Sequence, residues 1–166
     1  NWRTELGISQ HALVFVTSAS WRRHKRLKET IEVYKRFKAK HSGECRLVIL
    51  GAVEEKIDQT DGIFFVGNIV PTELPKWYRT GDIFMQLAWI EPCGNTQIEA
   101  MACGLPTICT NNGGIGETVL ACRGGTISQA DIGYNYQLLD YYNPPEPNYI
   151  QILRDIEELA GNLEYY

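Results

Sequence analysis

The sequence lacks the long apolar stretches of membrane-spanning or exported proteins: it has no run of about eighteen apolar residues, and residues 1–10 contain no apolar stretch of signal-peptide length. It also lacks N-x-S/T sequons, and its five cysteines include no C-x-x-C pair. We therefore expect a reducing, cytoplasmic setting, with free cysteines buried as small hydrophobic side chains and no zinc site. No repeat or low-complexity tract occurs, which excludes solenoid arrays and flexible linkers.

Length and composition favour one globular domain. The chain has 166 residues, of which 44% are hydrophobic and 22% are charged. Five short runs are continuously apolar, as in strands covered on both faces, and they lie at 12–17, 46–50, 62–66, 83–87 and 105–110. Helical patterns separate these runs, so we predict an α/β domain with a Rossmann-like parallel sheet and helices on both faces. Ligands of such sheets bind at the carboxyl ends of the strands.

Apolar residues at spacings of three and four indicate the helices. The pattern occurs from Leu27 to a stop signal at Gly43, and at 71–80, 96–103 and 149–163. The last of these helices is amphipathic and packs either on this domain or on something outside it. The segment 128–148 is polar, rich in tyrosine and interrupted by three prolines, so we predict a long surface loop there.

Charge is distributed unevenly along the chain. The net charge of −4 argues against general nucleic-acid binding, yet residues 21–40 hold nine of the sixteen Lys and Arg residues. Within that segment Arg22, Arg23 and Lys25 lie at the predicted sheet edge, where a helix N-terminus and cationic side chains together suit a phosphate or pyrophosphate. A solvated basic helix face is the alternative interpretation. His24 has no paired Asp or Cys pattern, and we expect a surface histidine.

Two glutamates form the second candidate site. Glu91 lies in the loop after a predicted strand, and Glu99 lies inside the following helix. A loop carboxylate beside a helix N-terminus can accept sugar hydroxyls, and one two turns along can accept both hydroxyls of a vicinal diol such as ribose. The backbone amides of Gly94, Asn95 and Thr96 are expected to face a phosphate or sugar oxygen. The alternative is that neither glutamate has a ligand and that Glu99 is an ordinary surface residue.

The third candidate site is the glycine-rich segment 111–117, which follows the fifth predicted strand. Its glycines, including Gly113 and Gly114, can expose consecutive backbone amides as an anion-binding concavity. The segment does not match the G-x-G-x-x-G dinucleotide motif, and an ordinary glycine-rich turn is the alternative interpretation.

Residues 78–117 as a whole resemble the donor-binding region of the group 1 glycosyltransferases, which are retaining enzymes with two Rossmann-like domains, the GT-B fold. Glu91 and Glu99 match the E-x7-E motif of that family. The surrounding pattern also matches: a predicted strand precedes the first glutamate, E-A-M-A-x-G-x-P begins at the second, and G-G-x-x-E follows the next predicted strand. The resemblance extends upstream to about residue 12.

The resemblance implies a role for each candidate site. Lys25 matches the family's phosphate-binding lysine, and it stabilises the departing diphosphate together with nearby arginines and helix amides, while Glu91 orients the donor-sugar hydroxyls. Lys25 and Glu91 are therefore the implied catalytic residues. Glu99 binds the ribose, and the loop 67–70 holds the nucleobase. The implied donor-binding residues are Ser20, Arg22, Arg23, Gly67, Ile69, Val70, Gly94, Asn95, Thr96, Glu99, Gly113 and Gly114.

By the same resemblance, the chain is one half of a GT-B enzyme. Residues 1–166 are expected to be its nucleotide-sugar-binding domain, a fragment without the N-terminal acceptor-binding domain. The donor is a UDP-, GDP- or ADP-sugar, with no metal and no other cofactor, and no nucleic acid is a partner. The full enzyme transfers a hexose with retention of configuration to a glycan, a lipid or another acceptor, and peripheral membrane association is compatible with this role.

One residue departs from the family pattern. The family has an arginine five residues before its phosphate-binding lysine, and this sequence has Ser20 there. Arg22 or Arg23 is expected to supply the missing charge. Two other functions fit the same residues: another GT-B enzyme, such as a sugar-nucleotide epimerase or a phosphorylase, and a non-enzymatic phosphate- or RNA-binding module that uses the basic helix.

Overall fold

A computed structural model describes residues 2–53, 62–131 and 141–165. In this part of the chain, parallel strands form one sheet: β1 (Leu13–Ser18), β2 (Cys45–Leu50), β3 (Ile63–Gly67), β4 (Ile83–Gln86), β5 (Thr107–Cys109) and β6 (Gly125–Ile127). Their order across the sheet is β3-β2-β1-β4-β5-β6. The prediction of a Rossmann-like parallel sheet is confirmed. The order reverses between β1 and β4, which is where doubly wound sheets bind their ligands.

Helices cover both faces of the sheet. They are α1 (Trp2–Glu5), α2 (Leu27–Lys40), α3 (Leu74–Tyr78), α4 (Asn95–Ala102), α5 (Ile115–Cys122) and α6 (Tyr149–Gly161), with single 3-10 turns at Arg23–Lys25 and Leu163–Tyr165. Side chains alternate along β1, so that Phe15 joins the core under α2 and α6, whereas Val14 and Val16 join the core under α3 and α4. This double coverage explains why the strand sequences are continuously apolar.

The terminal helix α6 packs on this domain, which decides between the two predicted possibilities. Its apolar stripe, Ile152, Ile156 and Leu159, is buried in the same core cluster as α2. The guanidinium of Arg36 on α2 lies 4.2 Å from the ring centre of Tyr149 at the start of α6, which adds a cation–π contact. The helix ends at Gly161, and the predicted last turn is the separate 3-10 turn.

Several details differ from the predictions. The predicted helix at 71–80 is shortened to α3 because Pro75 has no amide hydrogen and occupies the first turn. The cysteines are free, but the prediction that all five are buried was wrong: Cys93 and Cys122 are exposed, one in a loop and one at the end of α5. No helix within the described ranges combines the length and the apolar character needed to cross a membrane.

The predicted surface loop at 128–148 is described only at its two ends, and residues 132–140 lie outside the described ranges. The prediction was wrong for its first residues, because Ser128 and Asp131 are buried. Ser128 donates a hydrogen bond to Asp155 of α6 at 2.6 Å, which ties the end of β6 to that helix. On the other side of the gap, Pro144 is also buried. Both ends of the segment are therefore anchored in the domain.

Candidate functional site

The loops that follow β1 and β4 meet at the reversal point of the sheet. The hydroxyl of Thr17 on β1 donates to the Met85 carbonyl at 2.8 Å, and the Trp89 amide donates to the His24 carbonyl at 2.7 Å. These bonds hold the two loops side by side. Between them lies a pocket of about 180 Å³, lined by Ala19, Ser20 and Lys25 on one side and by Gln86, Glu91 and residues 93–96 on the other.

An ion pair between Lys25 and Glu91 crosses this pocket. Both side chains are mostly buried, with exposures of 16% and 14%, so water screens the pair less than it screens a surface pair. The second carboxylate oxygen of Glu91 accepts a hydrogen bond from the Gly94 amide at 3.3 Å. Because an ammonium group has three donors, Lys25 can keep Glu91 and still donate to a ligand. The structure thus brings the two predicted catalytic residues into contact.

The N-terminus of α4 forms the other wall of the pocket. Gly94 precedes the helix in the left-handed conformation, with φ 57°. Its amide is already used by Glu91, so of the three amides predicted to face a ligand, one has a partner within the chain. Within the described residues, the amides of Asn95 and Thr96 donate no hydrogen bond. Two helix-terminal donors and the Lys25 ammonium therefore line one pocket, an arrangement that suits an anion.

Of the two candidate arginines, the structure brings Arg22 to the site. Arg22 is exposed, has no ion-pair partner among the described residues, and lines a second pocket of about 520 Å³ that shares Ser20 and Lys25 with the first. Arg23 instead pairs with the buried Glu29 of α2 at 2.6 Å. The basic segment therefore contributes Arg22 and Lys25 to the pockets, while Arg23 stabilises the first turn of α2.

His24 is buried, which corrects the prediction of a surface histidine. Its exposure is 5%, and its ring stacks on Tyr141 with 4.1 Å between centroids and 21° between planes. Burial and the Lys25 charge lower the pKa of His24, with a further contribution from Arg22, against the opposing effect of Glu91. His24 and Tyr141 both line the larger pocket. Nothing near His24 in the sequence indicates this burial, because its ring partner is far away along the chain.

Glu99 lies within α4, as predicted, on the exposed side of that helix, and it contacts one buried side chain. The Tyr78 hydroxyl donates to one carboxylate oxygen of Glu99 at 2.9 Å. Burial, together with this carboxylate, raises the pKa of Tyr78 well above its usual range, so the phenol remains a donor. The bond fixes one oxygen of Glu99 and leaves the other for a ligand.

The predicted nucleobase loop lies at the same sheet edge. Gly67 has φ 81° and its carbonyl accepts from the Gly51 amide at 2.7 Å, while the Asn68 side chain accepts from the Ala52 amide at 3.0 Å. These bonds tie the loop to the end of β2. Ile69 packs against the core and Val70 is 61% exposed. Neither of the two pockets is lined by this loop, so its role in base binding stays a prediction.

The glycine-rich segment supports the Glu91 loop. The Glu91 amide donates to the Asn112 carbonyl at 3.0 Å. A Cβ at Gly113 would clash with the Glu91 carbonyl oxygen, and one at Gly114 would clash with the Pro92 carbonyl oxygen. Gly113 also has φ 99°, which disfavours other residues. Close backbone packing thus explains both glycines, and their direct contact with an anion stays a prediction.

Sequence reasoning missed Arg26, which is fully buried behind the site. Its guanidinium forms two bonds with Asp131, at 2.8 and 3.1 Å, donates to the Pro145 carbonyl at 2.6 Å, and lies 4.9 Å from the Trp89 ring centre. Asp131 also accepts from the Asn112 side chain at 3.0 Å. Within a run of basic residues nothing distinguishes Arg26 as buried. Asp131 lies beyond the sequence motifs that carry the family resemblance, which end at residue 117.

Comparison with known proteins bears on the family to which the chain belongs. The family model described as "Glycosyl transferases group 1" matches residues 1–129. Mannosylfructose-phosphate synthase of Agrobacterium fabrum is 37% identical over 75 residues, which are 43% of this chain and 16% of that protein. N-acetyl-alpha-D-glucosaminyl L-malate synthase of Bacillus anthracis is 27% identical over 169 residues, covering 97% of this chain and 41% of that protein. The chain thus spans less than half the length of either relative.

Solved structures share the fold. Sucrose-phosphate synthase from Thermosynechococcus elongatus superposes with a TM-score of 0.73 at 18% identity, over 98% of this chain and 40% of that one. The C-terminal domain of a group 1 glycosyl transferase family protein from Francisella tularensis gives 0.68 at 22% identity, over 99% of this chain and 83% of that one. These likenesses confirm the predicted Rossmann-like fold of GT-B glycosyltransferases. Because the family model matches residues 1–129, which are more than half of the chain, the chain belongs to the group 1 glycosyl transferases.

Proposed function

We propose that this chain is the donor domain of a retaining glycosyltransferase and binds a nucleoside-diphosphate sugar at the carboxyl edge of its sheet. The observation that carries the proposal is the Lys25–Glu91 ion pair, which crosses a pocket at the reversal point between β1 and β4. A cation, a carboxylate and two helix amides lie within one small space. This set of groups suits a ligand that has both negative charge and hydroxyl groups.

In this proposal the diphosphate occupies the smaller pocket. The Lys25 ammonium and the amides of Asn95 and Thr96 donate to its oxygens, and they stabilise the charge that develops as the anomeric C–O bond breaks. These donors belong to a helix terminus and to a side chain held by Glu91, so they need little reorganisation during the reaction. No metal is needed for this stabilisation. The hydroxyls of the transferred hexose lie near Glu91.

The larger pocket continues the site on the other side of Ser20 and Lys25. Arg22 lines it without an ion-pair partner among the described residues. We therefore assign to Arg22 the contact with the diphosphate that the family's arginine makes. Arg23 is unsuited to that role because it is paired with Glu29. The sugar and the acceptor approach from this side, and a further domain of the full protein supplies the acceptor site.

Glu99 binds the ribose in this proposal. The Tyr78 hydroxyl holds one of its carboxylate oxygens, so the carboxylate is oriented before a ligand arrives. The two ribose hydroxyls then donate to Glu99, and the nucleobase extends toward loop 67–70. UDP-, GDP- and ADP-sugars share this ribose and diphosphate, and they differ in the base that this loop would contact.

The test is calorimetric titration of Glu99→Gln with a nucleoside diphosphate and its 2′-deoxy analogue. We expect the ribose ligand to lose about 1–3 kcal/mol of binding free energy, because a charged acceptor of two hydroxyl bonds becomes a neutral amide. The deoxy ligand loses less. Glu157→Gln, the same change at an exposed position of α6, is the matched control. Equal losses for both ligands would remove Glu99 from the ribose site, and absence of diphosphate binding by the unmodified chain would refute the proposed function.

A further inference from the structure

We propose that Arg26, Asp131 and Asn112, here called the positioning triad, set the position of Lys25 relative to Glu91. The role of that pair in binding a diphosphate rests on the proposed function, but the geometric part of the inference does not. None of the three is among the predicted catalytic or donor-binding residues, although Asn112 lies within the glycine-rich candidate segment 111–117. Arg26 and the Asp131 carboxylate are too deeply buried to contact a ligand, with side-chain exposures of 0% and 2%.

The triad and the ion pair form a closed ring of contacts. Lys25 is joined to Arg26 by a peptide bond, and Arg26 forms two hydrogen bonds with Asp131. Asp131 accepts from the Asn112 side chain at 3.0 Å, and the Asn112 carbonyl accepts from the Glu91 amide at 3.0 Å. The Lys25–Glu91 ion pair closes the ring. Each end of that pair is therefore connected directly to the triad, Lys25 by a peptide bond to Arg26 and Glu91 by a hydrogen bond to Asn112.

The burial of Arg26 makes this connection rigid. Two parallel hydrogen bonds to one carboxylate fix both the orientation and the distance of the guanidinium. The guanidinium also donates to the Pro145 carbonyl and lies over the Trp89 ring. Trp89 is itself bonded to the loop of Lys25 through the His24 carbonyl. Buried ion pairs of this kind contribute little net stability, because their desolvation offsets much of their attraction.

The backbone of Arg26 supports the same conclusion. Its φ of 55° lies in the left-handed region, which is unfavourable for a residue with a side chain. Arg26 caps both the end of the 3-10 turn that contains Lys25 and the start of α2. Its backbone conformation therefore sets the direction in which the Lys25 side chain points. The contacts of the guanidinium hold the residue in this conformation. Loss of the triad is therefore expected to displace Lys25 without removing any group from the pocket.

The test uses Asn112→Ala, which removes one link of the ring and keeps the carbonyl that accepts from Glu91. Asp131→Asn is the second variant; it weakens the link at a residue that no ligand can reach. Asn162→Ala is the matched control, because it removes a comparable side-chain bond, to the Glu158 carbonyl, at the far end of α6. The thermal midpoint of each variant is measured first, to establish that it is folded.

The first readout concerns the ion pair in the free protein. The Lys25 ammonium gives a ¹H–¹⁵N signal when its protons are protected by pairing, and Lys25→Met identifies that signal by removing it. We expect the signal to be lost by exchange in Asn112→Ala and retained in Asn162→Ala. A retained signal in Asn112→Ala and Asp131→Asn, with unchanged shifts for Lys25, would overturn the proposed positioning role whatever the ligand of the site.

The second readout is binding of a nucleoside diphosphate and of the nucleoside alone. Asn112→Ala and Asp131→Asn are expected to weaken diphosphate binding about tenfold, a coupling usual within one hydrogen-bond network, and to spare the nucleoside. In a Lys25→Met background the same changes have no further effect. Equal losses for both ligands, or a loss that persists without Lys25, would show a general structural role and overturn the inference. If Lys25→Met itself leaves diphosphate binding unchanged, the proposed function fails. The ammonium signal then remains the test of whether the triad positions Lys25.

Discussion

The buried His24 makes the stability of the domain depend on pH. Its pKa in the folded chain lies below the ordinary value of 6.5, because burial and the neighbouring cations disfavour the imidazolium. In the unfolded chain the ring takes up a proton first as the pH falls. The free energy of unfolding is therefore expected to decrease from about pH 6.5 downward, as far as the lower pKa of the folded state. Above that range both states are neutral at His24 and the contribution is constant.

Thermal melts of His24→Phe between about pH 5 and 7 check this expectation. Phenylalanine keeps an aromatic ring against Tyr141 and has no proton to gain, so the slope of the midpoint with pH becomes smaller than in the unmodified chain. His11→Asn is the control, since His11 is exposed. An unchanged slope in His24→Phe would show that protonation of His24 is not linked to folding.

At the residue scale, local sequence predicts only part of the site. Lys25 and Glu91 were identified from motifs, and the structure brings them into contact. His24 and Arg26 lie beside them in the sequence, and their burial was missed. Their partners, Tyr141 and Asp131, come from distant segments of the chain. The sequence of consecutive basic residues, moreover, does not distinguish a buried residue from an exposed one.

At the scale of elements, α6 provides a test of packing with an internal control. Ile156 is fully buried against the sheet, whereas Ile150 on the same helix is 65% exposed. We expect Ile156→Ala to lower the free energy of unfolding by about 2–5 kcal/mol, because it removes buried methyl groups and leaves a cavity. Ile150→Ala is expected to change it by only about 0.5 kcal/mol. Urea titrations of both variants measure the difference. Similar values would show that α6 does not dock on the domain in solution.

Helices and strands were predicted correctly where their sequence has a clear apolar pattern. The five predicted strands and α2 have continuous or periodic apolar patterns and were found within a few residues of their predicted bounds. The sequence patterns did not indicate α1, α5 or β6. Glycines at 113, 114 and 116 hide the start of α5, and β6 has three residues, Gly125–Ile127, which is too short for a pattern to show. Packing rather than local propensity determines both elements: α5 packs on β5 and β6, and β6 packs on β5 and α6.

At the scale of the whole molecule, topology brings together what the sequence keeps apart. The β3-β2-β1-β4-β5-β6 order places the carboxyl ends of β1 and β4 next to each other, although many residues separate them in the chain. Ser20, Lys25 and Glu91 reach one pocket for this reason. The family resemblance predicts this grouping, because it assigns all three residues to the donor site. It did not predict the positioning triad, because Asp131 lies after the last matching motif.

The 166 residues alone are expected to bind a donor without transferring its sugar. The groups that we propose for the diphosphate and the sugar line two pockets at one edge of the sheet. Sugar transfer requires in addition an oriented acceptor and exclusion of water, which we assign to another domain of the full protein. We therefore expect calorimetry to show weak binding of a nucleoside-diphosphate sugar, and a radiolabelled donor to give no product on an acceptor. Slow release of free sugar fits this expectation, because water can replace the acceptor, whereas efficient transfer by the chain alone would contradict it.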